Sequence, residues 1–109
     1  MDLKLKGKTA LITGGSEGIG KGIALTMARE GVDVAICARR KEPLEAAANE
    51  ISKETGRKIV AIAADLRKDA DAKNFIEQGH KALGRVDIMV NNAGIETRTS
   101  VLDTTEADY

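Results

Sequence analysis

Apolar residues in this chain fall into short unbroken runs, separated by longer stretches in which they recur every three or four positions. The runs are "KTALIT" (8–13), "VDVAIC" (32–37), "KIVAIAA" (58–64) and "VDIMV" (86–90). Apolar on consecutive residues and flanked by turn formers, they predict strands covered on both faces. Between them, Ile19, Ile23, Ala24, Met27 and Ala28 share one helical face. Leu44, Ala47, Ala48 and Ile51 share a second, and Phe75, Ile76, Gly79 and Leu83 a third. Gly31, Gly56 and Gly84 stand where left-handed caps would stop these helices, and Pro43 is tolerated in a first turn.

The predicted order is β-α-β-α-β-α-β. Buried strands alternating with helices predict an α/β fold, a doubly wound parallel sheet with helices on both faces, as one domain over residues 1–109. In such a sheet a ligand lies beyond the carboxyl ends of the strands, where the winding reverses. The residues that follow each strand are therefore the ones to inspect.

Composition narrows the function. Apolar residues make up 42% and charged residues 31%, a globular balance, and the 17 basic and 17 acidic side chains cancel. No net field draws in nucleic acid, and with 2% aromatic residues there is no base-stacking platform. No apolar run approaches the ~20 residues of a membrane span, and "MDLKLKGK" lacks the core of a signal peptide, so the expectation is a cytoplasmic protein away from membranes. Cys37 has no second cysteine to pair with and reads as a buried structural thiol. No metal is implied: His80 lies among polar neighbours, and Asp69 and Asp71 suit a helix N-terminus.

The densest local signal is "TGGSEGIGKG", Thr13 to Gly22. As a P-loop it places Lys21 toward terminal phosphates, but Gly22 stands where a Ser or Thr hydroxyl must hold magnesium. As a dinucleotide cradle it presents Gly14, Gly18 and Gly20, glycines that let backbone N–H groups and a helix N-terminus approach a pyrophosphate. Spacing alone leaves both readings open, together with a plain glycine-rich βα turn.

The end of the fourth strand, "NNAG" from Asn91 to Gly94, adds a second signal, and Asp65 in "AADL" a third. With Thr13, Gly14, Gly18 and Gly20 they appear in order after the right strands. The sequence thereby resembles the short-chain dehydrogenase/reductase family over essentially its whole length. The resemblance implies a Rossmann-like domain, incomplete at the C-terminus, that is the N-terminal cofactor-binding part of a longer reductase. It implies reversible hydride transfer between a nicotinamide and a carbonyl or alcohol. Gly14, Ser16, Glu17, Gly18, Ile19 and Gly20 are then the turn around the pyrophosphate, Ser16 through its hydroxyl and Ile19 through its backbone. Asp65 and Leu66 clamp the adenine edge, while Asn92, Ala93 and Gly94 floor the adenosine ribose. Thr13 and Asn91 tie neighbouring strands.

The choice of cofactor rests on "CARRK" after the second strand. A carboxylate there accepts the ribose 2′-hydroxyl of NAD, whereas arginine pairs with the 2′-phosphate of NADP. Ala38 occupies the acidic position and Arg39 and Arg40 follow, favouring NADP with NAD as the alternative. Glu17 opposes that preference unless it faces solvent or pairs with Arg39.

The family's Tyr-x-x-x-Lys pair, with its Ser and Asn, is not found here. Tyr109 is the last residue and has no lysine four places on, so no catalytic residue is assigned. Asp103 and Glu106 read as a helix cap with its reciprocal partner, the start of a helix left uncompleted. The expectation is a segment that is inactive and marginally stable alone, with strand four at an open sheet edge, and that belongs to a homo-oligomer when complete. The alternative is a non-catalytic dinucleotide-binding module, which a Tyr-x-x-x-Lys sequence further downstream would exclude.

Overall fold

The computed structural model describes residues 5–14 and 18–92. Its elements are β1 (Thr9–Thr13), α1 (Gly18–Arg29), β2 (Asp33–Ala38), α2 (Lys41–Thr55), β3 (Ile59–Ala63), α3 (Asp69–Leu83) and β4 (Ile88–Val90). The expected alternation is present, with strand ends displaced by at most two residues. The helix-start signal at Asp103 and Glu106, and Tyr109, lie outside the described residues.

All four strands are parallel, in the order β3-β2-β1-β4, with β4 at one edge among the described residues. Side chains alternate between two cores. Ala10 and Ile12 of β1 and Val34 and Ile36 of β2 face α1 and α2, while Leu11, Ala35 and Cys37 face α3 through Phe75. Because each strand is sandwiched, apolar residues are required on consecutive positions, which is the origin of the unbroken runs.

The α2 face came out as the spacing predicts: Leu44, Ala47, Ala48 and Ile51 are its buried residues. Burial of Leu44 and Ile51 stabilises the fold by about 1.5–3 kcal/mol each. On α3 the buried set is Ala72, Phe75 and Gly79, with Ile76 and Leu83 partly buried beside them. On α1 the expectation needs correcting. Gly20, Ala24 and Ala28 form the buried stripe, Ile23 and Met27 flank it, and Ile19 is 74% exposed. A helix begun at Gly18 turns residue 20 inward, so residue 19 falls on the adjoining stripe.

Two aspartates close the amino-terminal edge of the sheet. Asp87 Oδ2 accepts the Thr9 N–H at 2.9 Å and Arg85 Nε at 3.0 Å, while Thr9 Oγ1 donates to the Arg85 carbonyl at 2.6 Å. That carboxylate takes the place of a backbone partner, which explains why β4 starts at Ile88 and not at Val86. Asp33 Oδ1 likewise accepts the Lys58 N–H and Arg57 Nε, both at 3.1 Å, joining β2 to β3.

Candidate cofactor site

From β1 the chain winds outward to β2 and β3, then returns to β4 on the other side of β1. The carboxyl ends of β1 and β4 thus flank the point of reversal, where a crevice forms in doubly wound sheets. Gly14, Arg39, Asp65 and Asn92 all follow strands at this one edge, because the four strands are parallel.

Backbone and side-chain bonds lock the edge together. The Gly14 N–H donates to the Cys37 carbonyl at 2.6 Å, and the Ala64 N–H to the Ala38 carbonyl at 3.0 Å. The Thr13 hydroxyl accepts the Asn92 N–H at 2.8 Å and lies 3.2 Å from Asn91 Oδ1. Asn92 Nδ2 reaches the Gly14 carbonyl at 3.4 Å. Thr13 and Asn91 therefore do join β1 to β4.

The glycine turn is built for close backbone approach. Gly14 and Gly18 adopt φ of 69° and 62°, a region L side chains rarely enter. Gly20 begins the buried stripe of α1, and a methyl there would overlap the Gly14 carbonyl oxygen and come within 2.7 Å of Asn92 Nδ2. Only a glycine lets the first turn of α1 sit on the ends of both strands. The turn thus suits the diphosphate of a dinucleotide, which needs backbone N–H groups at a helix N-terminus. Ser16, Glu17, Ala93 and Gly94 lie outside the described residues.

The P-loop reading gains no support at its lysine. Lys21 Nζ is 2.6 Å from Glu50 Oε2, so this ammonium joins α1 to α2 instead of crossing toward the glycine turn.

At the second strand, Ala38 ends β2, Arg39 is exposed in the connection, and Arg40 is the cap residue of α2, without a side-chain capping bond. Asp65 follows β3. Its carboxylate is held by Arg67, accepting the backbone N–H and Nε at 3.0 Å on Oδ1 and Nη2 at 2.9 Å on Oδ2. These bonds, with the nearby Arg39 charge, keep the Asp65 carboxyl well below the usual carboxylate range. Leu66 packs its side chain against the α3-facing core. Asp69 and Asp71 occupy the first turn of α3, as their position in the chain implied, and Asp71 Oδ2 accepts the Asp65 N–H at 2.8 Å. Arg67 went unnoticed in the sequence, as did the bond from Asp65 to Asp71.

Cys37 and His80 fall where expected, the thiol buried beneath the edge and the imidazole exposed on α3. No helix among the described residues is long and apolar enough to cross a membrane.

A parallel sheet wound both ways from β1, with a glycine turn entering α1 at the reversal, defines a Rossmann-type α/β domain. Comparison with known proteins narrows this. The chain belongs to the short-chain dehydrogenase family, whose model, described as short chain dehydrogenase, matches residues 8–109. It is 40% identical over 106 residues to the hydroxynaphthalene reductase-like protein Arp2 of Metarhizium brunneum, covering 96% of this chain and 39% of that relative. The chain thus spans well under half of this relative's length. Among solved structures it is similar to L-sorbose reductase from Gluconobacter frateurii, complexed with NADPH and L-sorbose. That match has a TM-score of 0.84 and 33% identity over 94% of this chain and 39% of that one. It is also similar to 3-ketoacyl-(acyl-carrier-protein) reductase from Brucella melitensis, complexed with NADH, with a TM-score of 0.75 and 44% identity over 84% of this chain and 36% of that one.

Proposed function

We propose that this chain is the cofactor-binding part of an NADP(H)-dependent reductase that moves hydride reversibly between a nicotinamide and a carbonyl or alcohol. The observation that carries the reading is the set of bonds joining the ends of β1, β2 and β4 around Gly14, with Arg39 and not a carboxylate following β2. Gly14, Ser16, Glu17, Gly18, Ile19 and Gly20 would surround the pyrophosphate, and Arg39 with Arg40 would meet the 2′-phosphate. Asp65 and Leu66 would border the adenine, and Asn92, Ala93 and Gly94 the adenosine ribose. When bound, the dinucleotide supplies the hydride.

Proton transfer to the carbonyl needs an acid that these residues do not provide, since the sequence holds no Tyr-x-x-x-Lys. Measurable NADPH oxidation by a verified 109-residue chain with any carbonyl would contradict this division of labour. The same reading makes the protein a cytoplasmic homo-oligomer, which fractionation and light scattering at its native length would test.

The cofactor preference is tested by titrating NADPH and NADH into the protein and its Arg39→Asp variant. A charge-assisted bond to the 2′-phosphate corresponds to about 10- to 150-fold tighter binding of NADPH, and the variant should lose that advantage. Equal binding of the two cofactors, or an unchanged ratio in the variant, would overturn the NADP assignment.

A further inference from the structure

The loop between β3 and α3 holds an ion pair, Asp65 with Arg67, of which the cofactor reading gives only the aspartate a task. Carboxylates offer about four lone-pair sites, and three of those on Asp65 are occupied by one residue, Arg67, through its backbone N–H, Nε and Nη2. Such a fork fixes the plane of the carboxylate as well as its charge. The backbone is fixed too, since the Asp65 N–H donates to Asp71 Oδ2 on α3 at 2.8 Å. Asp65 is 17% exposed and Arg67 60% exposed in their side chains, so the carboxylate is sheltered while its clamp stands in solvent. Exposed ion pairs add little to stability, which makes stability a poor reason for this arrangement.

Charged groups bear on this carboxylate from three directions: Arg67 in its own loop, Arg39 after β2, and Asp71 from α3. At neutral pH an aspartate is ionised with or without the arginines, and an ionised carboxylate can only accept hydrogen bonds; what Arg67 adds is a fixed orientation. The site then presents, beside the sheet edge, a fixed acceptor that cannot rotate or take up a proton to suit a different base.

We infer that Arg67 is a positioning residue that makes this site select a 6-aminopurine dinucleotide over its 6-oxopurine analogue, by holding Asp65 as a fixed acceptor for the exocyclic amine. The inference rests on the proposed cofactor site. An adenine amine donates to the carboxylate; a hypoxanthine carbonyl at the same place sets oxygen against oxygen with no proton between them. Sites built around one hydrogen bond reject analogues lacking the partner far more strongly than apolar pockets reject a change of size. Without the fork, Asp65 can swing away or admit a bridging water, and the discrimination fades.

The test compares binding of NADPH with that of its reduced hypoxanthine analogue to the protein at its native length and to its Arg67→Gln and Arg67→Lys variants. The backbone N–H of residue 67 persists in every variant, so the local turn to Asp65 remains. The unaltered protein should prefer the adenine form by about tenfold or more. Arg67→Gln should bring the ratio close to one, chiefly by weakening the adenine form, and Arg67→Lys, with charge but no fork, should fall between. A purely structural role would weaken both dinucleotides equally and leave the ratio intact. An unchanged or larger ratio in Arg67→Gln overturns the assignment to Arg67 alone, whereas failure of the unaltered protein to bind either dinucleotide overturns the cofactor site beneath it.

Discussion

The Asn92 N–H donates to the Thr13 hydroxyl at 2.8 Å, so a side chain from the end of β1 supplies the partner for a backbone N–H just beyond β4. The link spans 79 residues of sequence and closes the sheet at the point where the winding reverses. Replacing Thr13 with valine keeps the shape and removes the hydroxyl, leaving a partly buried donor unsatisfied. The expected loss is about 1–3 kcal/mol of stability in a urea titration, with Thr13→Ser close to the parent.

Gly20 and Gly22 lie two residues apart on α1 and should respond oppositely to alanine. A methyl at Gly20 meets backbone oxygen, which cannot move without disturbing β1, whereas a methyl at Gly22 meets nothing within 4 Å. Gly20→Ala should destabilise by about 1–3 kcal/mol and sharply weaken dinucleotide binding. Gly22→Ala should stabilise by roughly 0.5–1 kcal/mol through helix propensity, with binding retained. Thermal melts and NADPH titrations of the two variants check both directions.

Acid should weaken the fold chiefly through Asp87, which ties β1 to β4, with only a small, solvent-screened share from Asp65. Arg67 holds the Asp65 carboxyl below its ordinary value; the Thr9 amide, followed by Arg85, holds that of Asp87 there. Unfolded aspartates titrate near about pH 3.9, so both groups contribute stability above that pH and lose it as the pH falls toward their lower folded values. Urea midpoints should therefore drop between pH 7 and pH 3, and Asp87→Asn should flatten part of that drop.

Cys37 should be chemically silent while the protein is folded. Burial, with a smaller effect of the Asp71 charge, pushes its thiol up to about 12. Only about one thiol in ten thousand is then ionised at pH 8, and the thiolate is the reactive form. Labelling by an aromatic disulfide should follow the unfolding rate as denaturant is raised. Rapid labelling in native buffer would show that the thiol is reachable without unfolding.

Much of the fold was legible because burial on both faces forces long apolar runs, and because a helix packed on a sheet repeats its contacts, as Leu44, Ala47, Ala48 and Ile51 do. Ile19 was misplaced because periodicity sets the spacing of a stripe, while the helix start decides which stripe turns inward. Lys21 looked like a phosphate ligand until the packing of α1 on α2 brought Glu50 to it. The glycine turn and the Asn pair could be found from their motifs. The Asp65–Arg67 clamp could not, since two opposite charges two residues apart in a polar loop look like any solvated surface.

The account stands most directly on an amide-resolved NMR titration of the protein with NADPH. Gly14, Gly18, Arg39, Asp65 and Asn92 should shift together along one saturation curve, as residues bordering a single ligand must. Shifts confined to one of these loops, or separate curves for the β2 and β4 ends, would contradict it.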